Sequence, residues 1–306
     1  MKTFRFTRAI AGALLLGTAL FGAPRAGAVV KVVATLPELA AITREVGGNK
    51  VSVYSIARPN RNYHSIEPRP SDVQRVARAG LVVRSGLGMD MWMDALMRAA
   101  NNSALNVGGS RYVDASASIP RLDVPNTQIT GASGDVHPGG NPHYYYDPIY
   151  GKFIARNILK GLIRVDSANA DFYRANYKAF NAGIDARMKG WNASLAPFRG
   201  ASVVTYHESF AYFLRRFGLR EYGHLEPKPG LPPSASHLNA LIGNMKRDKV
   251  RALVIESIYP TRSADLVARQ TKQNFVVVPY SVGSPGVTSY FDLIDTLVSG
   301  FKKALS

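Results

Sequence analysis

One stretch of about 28 residues, which begins at Asp166 or Ser167, has helical character and contains no proline before Pro197. An α-helix rises 1.5 Å per residue, so this stretch predicts a helix about 42 Å long, which exceeds the width of one small lobe. A helix of that length fits a two-lobed protein in which it forms a rigid connection. We therefore predict an N-terminal lobe over 29–165, a linking helix over 166–196 and a C-terminal lobe over 197–306.

Strand-like and helix-like segments alternate on both sides of the linking helix. Short valine-rich runs are followed by amphipathic segments of helical period, as after "VVKVVATL", "LVVRSG" and "ASVVTYH". This alternation is typical of α/β proteins, in which mostly parallel sheets are covered by helices. At the local level, we predict that Ser71 caps the helix "SDVQRVARAG" with Gln74 in a capping box, and that the last helix lies near 288–304.

The first 28 residues have the pattern of a signal peptide. A basic start, "MKTFRFTR", precedes the apolar run "AIAGALLLGTALFGA" and the small residues "AGA" at 26–28. The apolar run is shorter than the ~20 residues that a membrane-spanning helix needs. We therefore expect cleavage after about Ala28 and a location in the periplasm. The sequence contains no cysteine, so we expect neither disulfides nor a lipid attached to an N-terminal cysteine.

The chain is strongly basic. Four basic residues belong to the signal segment, so its removal lowers the formal net charge from +17 to +13. Such an excess favours attraction to anionic surfaces. The basic residues are scattered, however, without a basic tract or interleaved aromatic residues, and we expect no nucleic-acid partner. A module that binds surfaces or partner proteins through its charge remains an alternative.

Three of the six histidines lie where a strand gives way to a helix. His64 follows the second strand, His143 precedes a helix that opens at Asp147-Pro148, and His207 ends "ASVVTYH". Ligands of open parallel sheets gather at the carboxyl ends of the strands, so the three rings can meet between facing lobes. Three neutral imidazoles suit Zn²⁺, although a hydrogen-bonded structural role is an alternative for each of them.

Several stretches resemble the signature segments of zinc/manganese-type solute-binding proteins of ABC transporters. They are "NYHSIEPRPSD", "NPHYYYDP", "YHESFAYFLRRFGL" and "EPKPGLPPSASHL", and the resemblance covers nearly the whole mature chain. It implies that two lobes joined by one rigid helix bind a divalent metal in the cleft between them. By matched motifs, it also implies that His64, His143 and His207 are the metal ligands.

The fourth coordination position is open at this stage. In manganese-type members of the family a carboxylate replaces the third histidine and an aspartate follows the last strand, whereas this chain has His207 and, at the corresponding place, Thr288. Asp292 and Asp295 lie within the following helix. The resemblance thus implies a zinc-type member, whose fourth ligand is water or Glu256; Glu256 is equally a candidate for orienting a histidine.

The remaining histidines are weaker candidates. His137 lies in the Gly- and Pro-rich segment 115–142 and is a candidate accessory ligand, although a solvated loop histidine is the expected role. His224 and His237 are expected to be structural. Because a bound imidazole must be neutral, we expect the metal affinity to fall as the pH drops through about 6.5.

Together, these features predict a monomeric periplasmic receptor that captures Zn²⁺ and delivers it to an inner-membrane ABC permease, without enzymatic activity. Manganese or another divalent metal is the alternative cargo. An alternative of another class is a secreted zinc-dependent hydrolase, in which Glu256 or Glu208 acts as the base for a metal-bound water.

Overall fold

A computed structural model describes residues 29–126, 134–250 and 252–306, together with Met1. The predicted signal peptide, apart from Met1, lies outside the described residues, and so does part of the segment 115–142. Within the described residues, none of the helices combines the length and the apolar character that crossing a bilayer requires.

The first lobe contains a four-stranded parallel sheet of β1 Val30–Ala34, β2 Val51–Ser55, β3 Leu81–Arg84 and β4 Tyr112–Asp114, in the spatial order β2-β1-β3-β4. The central strands β1 and β3 carry most of the buried residues, as expected for a parallel sheet covered by helices, whereas the edge strand β2 is only partly buried. The helices are α1 Pro37–Gly47, α2 Pro70–Ala77, α3 Met93–Ala100 and α4 Pro148–Val165.

The second lobe repeats this arrangement with β5 Ser202–Thr205, β6 Arg220–His224, β7 Ala252–Glu256 and β8 Phe275–Val278. These strands form a parallel sheet in the spatial order β6-β5-β7-β8. Its helices are α6 Ala211–Phe217, α7 Ala235–Asp248, α8 Arg262–Thr271 and α9 Tyr290–Leu305. The two-lobed α/β fold predicted from the sequence is therefore confirmed.

The linking helix α5 spans Ala170–Leu195 and is flanked by short 3₁₀ turns at Ser167–Asn169 and Ala196–Phe198. It packs on α1 and α4 of the first lobe and on α9 of the second. Its buried residues recur at intervals of seven and four, which places them on one face: Tyr173, Phe180, Ile184, Trp191 and Leu195. One apolar face thus holds both lobes.

Direct contacts also join the two lobes where their strands end. The buried carboxyl group of Glu38 on α1 accepts hydrogen bonds from the Tyr63 hydroxyl, at 3.0 Å, and from the Val282 backbone N–H of the second lobe, at 3.1 Å. The rings of Tyr63 and Tyr280 lie 4.7 Å apart, and the Tyr146 hydroxyl donates to the Tyr280 carbonyl. The loops that follow β2 and β8 therefore meet in the cleft.

The start of α2 differs from the prediction. Its N-cap is Arg69, not Ser71, and the Asp72 carboxylate accepts a 2.8 Å hydrogen bond from the Arg69 backbone N–H. The physical reason is Pro70, which lacks an N–H and has the backbone angle of a first helical residue, so the helix begins there. The last helix, α9, begins at Tyr290 and is capped by Ser289.

Candidate metal centre

Three loops from both lobes bring three imidazoles together. His64 lies in a 3₁₀ turn after β2, His143 lies at the start of the turn that leads into α4, and His207 follows β5. One ring nitrogen from each of these histidines lies within 4.8 Å of the others. In the described part of the chain, this is the one group of three or more histidine, aspartate or glutamate side chains so close together.

The spacing of the rings suits a small cation. The Nε2 atoms of His64 and His143 lie 3.3 Å apart, and the ring of His207 has its centre 5.2 Å and 5.0 Å from those of His64 and His143. Two nitrogens bound to a tetrahedral zinc at 2.0–2.1 Å would be about 3.3 Å apart. His143 and His207 are buried, and His64 is partly exposed.

The side chain of Asn141 fixes the ring of His143. Its Oδ1 accepts the backbone N–H of His143 and lies 3.0 Å from Nδ1 of the same residue, while its Nδ2 donates to the Glu208 carbonyl at 2.9 Å. Because Oδ1 is an acceptor, Nδ1 of His143 carries the proton. Its Nε2 therefore presents a lone pair to the centre.

His207 has a carboxyl partner. Its Nδ1 makes a short contact with Glu226, which follows β6 and also accepts a hydrogen bond from the Gly230 backbone N–H. The Nε2 atom of His207 is buried and has no hydrogen-bond partner among the described residues. A buried nitrogen without a partner is costly unless a ligand completes it.

His137 is the hydrogen-bond partner of His64, as Glu226 is that of His207. Its Nε2 lies 3.0 Å from Nδ1 of His64, and the two rings stack with centres 4.9 Å apart. The expectation of a solvated loop histidine is wrong, since His137 is only 8% exposed. Gly88 makes room for it: at φ +88°, a Cβ atom there would lie 2.9 Å from Nδ1 of His137.

Burial keeps the four rings neutral. It lowers the pKa of His64 and His143 well below the usual value, with a further contribution from neighbouring imidazoles, and it lowers the pKa of His137 and of His207 to about 4. Burial also raises the pKa of Glu226 to about 8. The centre is thus a set of uncharged nitrogen donors beside the carboxyl group of Glu226, and a bound cation would stabilise the ionised form of that group.

The candidates for a fourth ligand lie elsewhere. Glu256 ends β7 and is fully buried, burial raises its pKa to about 8, and its oxygens have no hydrogen-bond partner of normal geometry among the described residues. It does not belong to the histidine group, and the partner that orients His207 is Glu226. Thr288 is exposed and donates to Asp292, while Asp295 accepts from the Trp191 indole N–H.

His224 and His237 are engaged outside the centre. Nδ1 of His224 lies 2.9 Å from the Thr205 hydroxyl, and Nε2 of His237 lies 2.9 Å from the His224 carbonyl.

The sequence analysis missed the roles of Asn141 and Glu226. Both lie in the quoted stretches, Asn141 two residues before His143 and Glu226 at the start of "EPKPG", but only the fold brings Glu226 to a histidine.

Comparisons with known proteins give a family match and several relatives. The family described as zinc-uptake complex component A periplasmic matches residues 32–304. The manganese ABC transporter substrate-binding lipoprotein PsaA of Streptococcus pneumoniae is 26% identical over 249 residues, which are 79% of this chain and 76% of that protein. The iron-binding protein YfeA of Yersinia pestis is 25% identical over 286 residues, 89% of this chain and 86% of its own.

The fold has a close counterpart among solved structures. A zinc-bound deletion mutant of ZnuA superposes with a TM-score of 0.76 at 22% identity, covering 91% of this chain and 98% of that one. The matching family consists of substrate-binding proteins and not of enzymes, so the alternative of a secreted zinc hydrolase is wrong. The chain belongs to the family of zinc-uptake complex component A, the metal-binding receptors of ABC transporters.

Proposed function

We propose that this protein binds one Zn²⁺ between its lobes through Nε2 of His64, His143 and His207 and delivers it to an ABC permease in the inner membrane. The observation that carries the proposal is the convergence of three ring nitrogens within 4.8 Å, with the other nitrogen of each ring next to a hydrogen-bond partner. Without a cation, lone pairs at this distance would repel one another.

The donor set supports zinc over manganese. Imidazole nitrogens favour zinc, whereas carboxylate and other oxygen ligands suit manganese. The loop after β8 brings Tyr280, not a carboxylate, against the first lobe, and burial raises the pKa of its hydroxyl so far that it is neutral at physiological pH. Since the relatives above are named for manganese and iron, the cargo is inferred from these side chains alone.

Water is the fourth ligand in this proposal. Glu256 stands outside the histidine group, and among the described residues no carboxylate joins the three rings within ligand distance of one another. Three neutral rings held by hydrogen bonds need little ordering or deprotonation when the metal arrives, so most of the coordination energy remains available for affinity.

The protein's place in the cell follows from its N-terminal sequence. We propose that residues 1–28 direct export and are removed, and that the mature chain works in the periplasm as two lobes, 29–165 and 197–306, joined by a helix over 166–196. A receptor that passes its cargo to an inner-membrane permease needs this location.

The test is elemental analysis of protein taken directly from the periplasm, followed by competition between zinc and manganese for the same sample. We expect about one zinc per chain and displacement of manganese by zinc. A sample that retains manganese in the presence of equimolar zinc would contradict the choice of metal, and protein absent from the periplasm would contradict the location.

A further inference from the structure

Six basic side chains that are scattered along the sequence gather on one flank of the first lobe. They line two adjoining surface depressions, of about 430 and 410 Å³, that share Tyr54. We call this surface the basic flank; its cations are Lys31, Arg58, Arg61, Arg69, Arg75 and Arg78. It extends along the edge strand β2 and helix α2, and all six residues are exposed.

Among the described residues, none of the six side chains forms an ion pair, although Arg75 stacks over the ring of Tyr54 at 4.2 Å. The acidic residues that line the flank are Glu67 and Asp72, and Asp72 is buried and engaged by the Tyr54 hydroxyl. The flank therefore presents a nearly uniform positive surface.

We propose that the basic flank binds the anionic surface of a phospholipid bilayer and so holds the receptor at the membrane of its permease. Guanidinium groups pair with phosphate oxygens in a bidentate manner, and each basic residue near an anionic leaflet adds to the attraction. The biological purpose rests on the proposed function, whereas the binding itself does not depend on zinc.

The chemistry of the flank favours lipid headgroups over a protein partner. Protein interfaces have an apolar, aromatic-rich centre. None of the exposed large apolar side chains of the described residues lies on the flank, and its one aromatic ring, Tyr54, is covered by Arg75. A broad array of unpaired cations without an apolar anchor suits a diffuse anionic plane.

The experiment is co-sedimentation of the full mature protein with vesicles. One set contains phosphatidylcholine with about a quarter phosphatidylglycerol, and the other contains phosphatidylcholine alone, each at low and at high salt. We expect binding only to the anionic vesicles at low salt, with a loss of more than about tenfold in affinity for the triple variant Arg58→Glu, Arg69→Glu and Arg78→Glu.

A matched control has the same net charge but keeps the flank. Lys178→Glu, Lys189→Glu and Lys303→Glu reverse three exposed cations on α5 and α9, and this variant should bind the vesicles far better than the flank variant. Both variants should keep zinc binding unchanged, which shows that they fold. Equal losses in the two variants, binding to phosphatidylcholine alone, or cross-linking of the flank to an acidic protein without vesicle binding would each overturn the proposal.

Discussion

The two lobes hold their histidines by different chemistry. In the first lobe, the rings of His64 and His143 are oriented by neutral groups, the imidazole of His137 and the amide of Asn141. In the second lobe, His207 is oriented by the carboxyl group of Glu226. A carboxylate makes an imidazole a stronger donor, whereas a neutral partner mainly fixes its direction. We infer that the first lobe sets the geometry of the site and the second lobe strengthens it.

The largest effect is expected from removing the imidazole of His143, one of the three proposed zinc ligands. His143 is fully buried between its partner Asn141 and the other two rings, so His143→Ala should weaken zinc binding by well over about tenfold while the fold is retained. Competition with a chelator measures the affinity. His237→Ala removes a histidine outside the centre and serves as the control; an unchanged affinity in His143→Ala would reject His143 as a ligand.

The difference between the lobes is tested by changing, in each lobe, one side chain that is hydrogen-bonded to a ligand histidine. Glu226→Gln keeps a hydrogen-bond acceptor but removes the charge, and we expect a loss of about ten- to a hundredfold in zinc affinity. His137→Gln replaces one neutral partner by another and should cost less than about tenfold. The same chelator competition measures both variants. A greater loss in His137→Gln would reverse the assigned roles of the lobes.

The lobes should also differ in the protons they release. The first-lobe rings are already neutral because burial holds their pKa far below the usual value, so zinc displaces no proton from them near neutral pH. The pKa of Glu226 is raised to about 8, so its pair with His207 retains one proton below that pH, and zinc binding expels it. Affinity should therefore rise by about tenfold per pH unit from 5 to 7 and level off above about 8.

Histidines with an ordinary pKa would instead make the zinc affinity fall as the pH drops through about 6.5. Calorimetry in buffers of different ionisation enthalpy counts the protons released, and we expect close to one at pH 6. In Glu226→Gln the count should fall towards zero and the pH dependence should flatten. Release of two or three protons from the unaltered protein would show that the first-lobe rings are charged before zinc binds.

The smallest effect concerns the contact between the lobes. Tyr63→Phe removes one donor to the buried carboxyl group of Glu38 and leaves the Val282 N–H in place. We expect a decrease of about 1–2 kcal/mol in the free energy of unfolding, measured with urea, and only a small change in zinc affinity. A loss of affinity as large as that of Glu226→Gln would mean that the contact between the lobes sets the metal site.

The strands and helices that depend on local periodicity could be predicted from the sequence. Valine-rich runs followed by amphipathic segments predict both sheets, and the proline-free stretch predicts α5. The rule that ligands gather at the carboxyl ends of strands singled out His64, His143 and His207, which the structure brings together. The ligand role itself stays a prediction.

What could not be predicted depends on contacts between distant residues. Glu226 reaches His207 from 19 positions away because β6 pairs with β5, and His137 reaches His64 from 73 positions away. A sequence pattern carries no signal for such pairs. In the same way, order along the chain matches Thr288 to the aspartate of manganese-type members, but Thr288 is exposed and donates to Asp292, whereas Tyr280 and Val282 contact the first lobe.

We propose that three rings from two lobes share one cation, and anomalous diffraction at the zinc absorption edge from crystals of the zinc-loaded protein can show whether they do. We expect a single strong peak about 2.0–2.1 Å from Nε2 of each of His64, His143 and His207. A peak bound by Glu256, or one that leaves any of the three rings more than about 3 Å away, would contradict it.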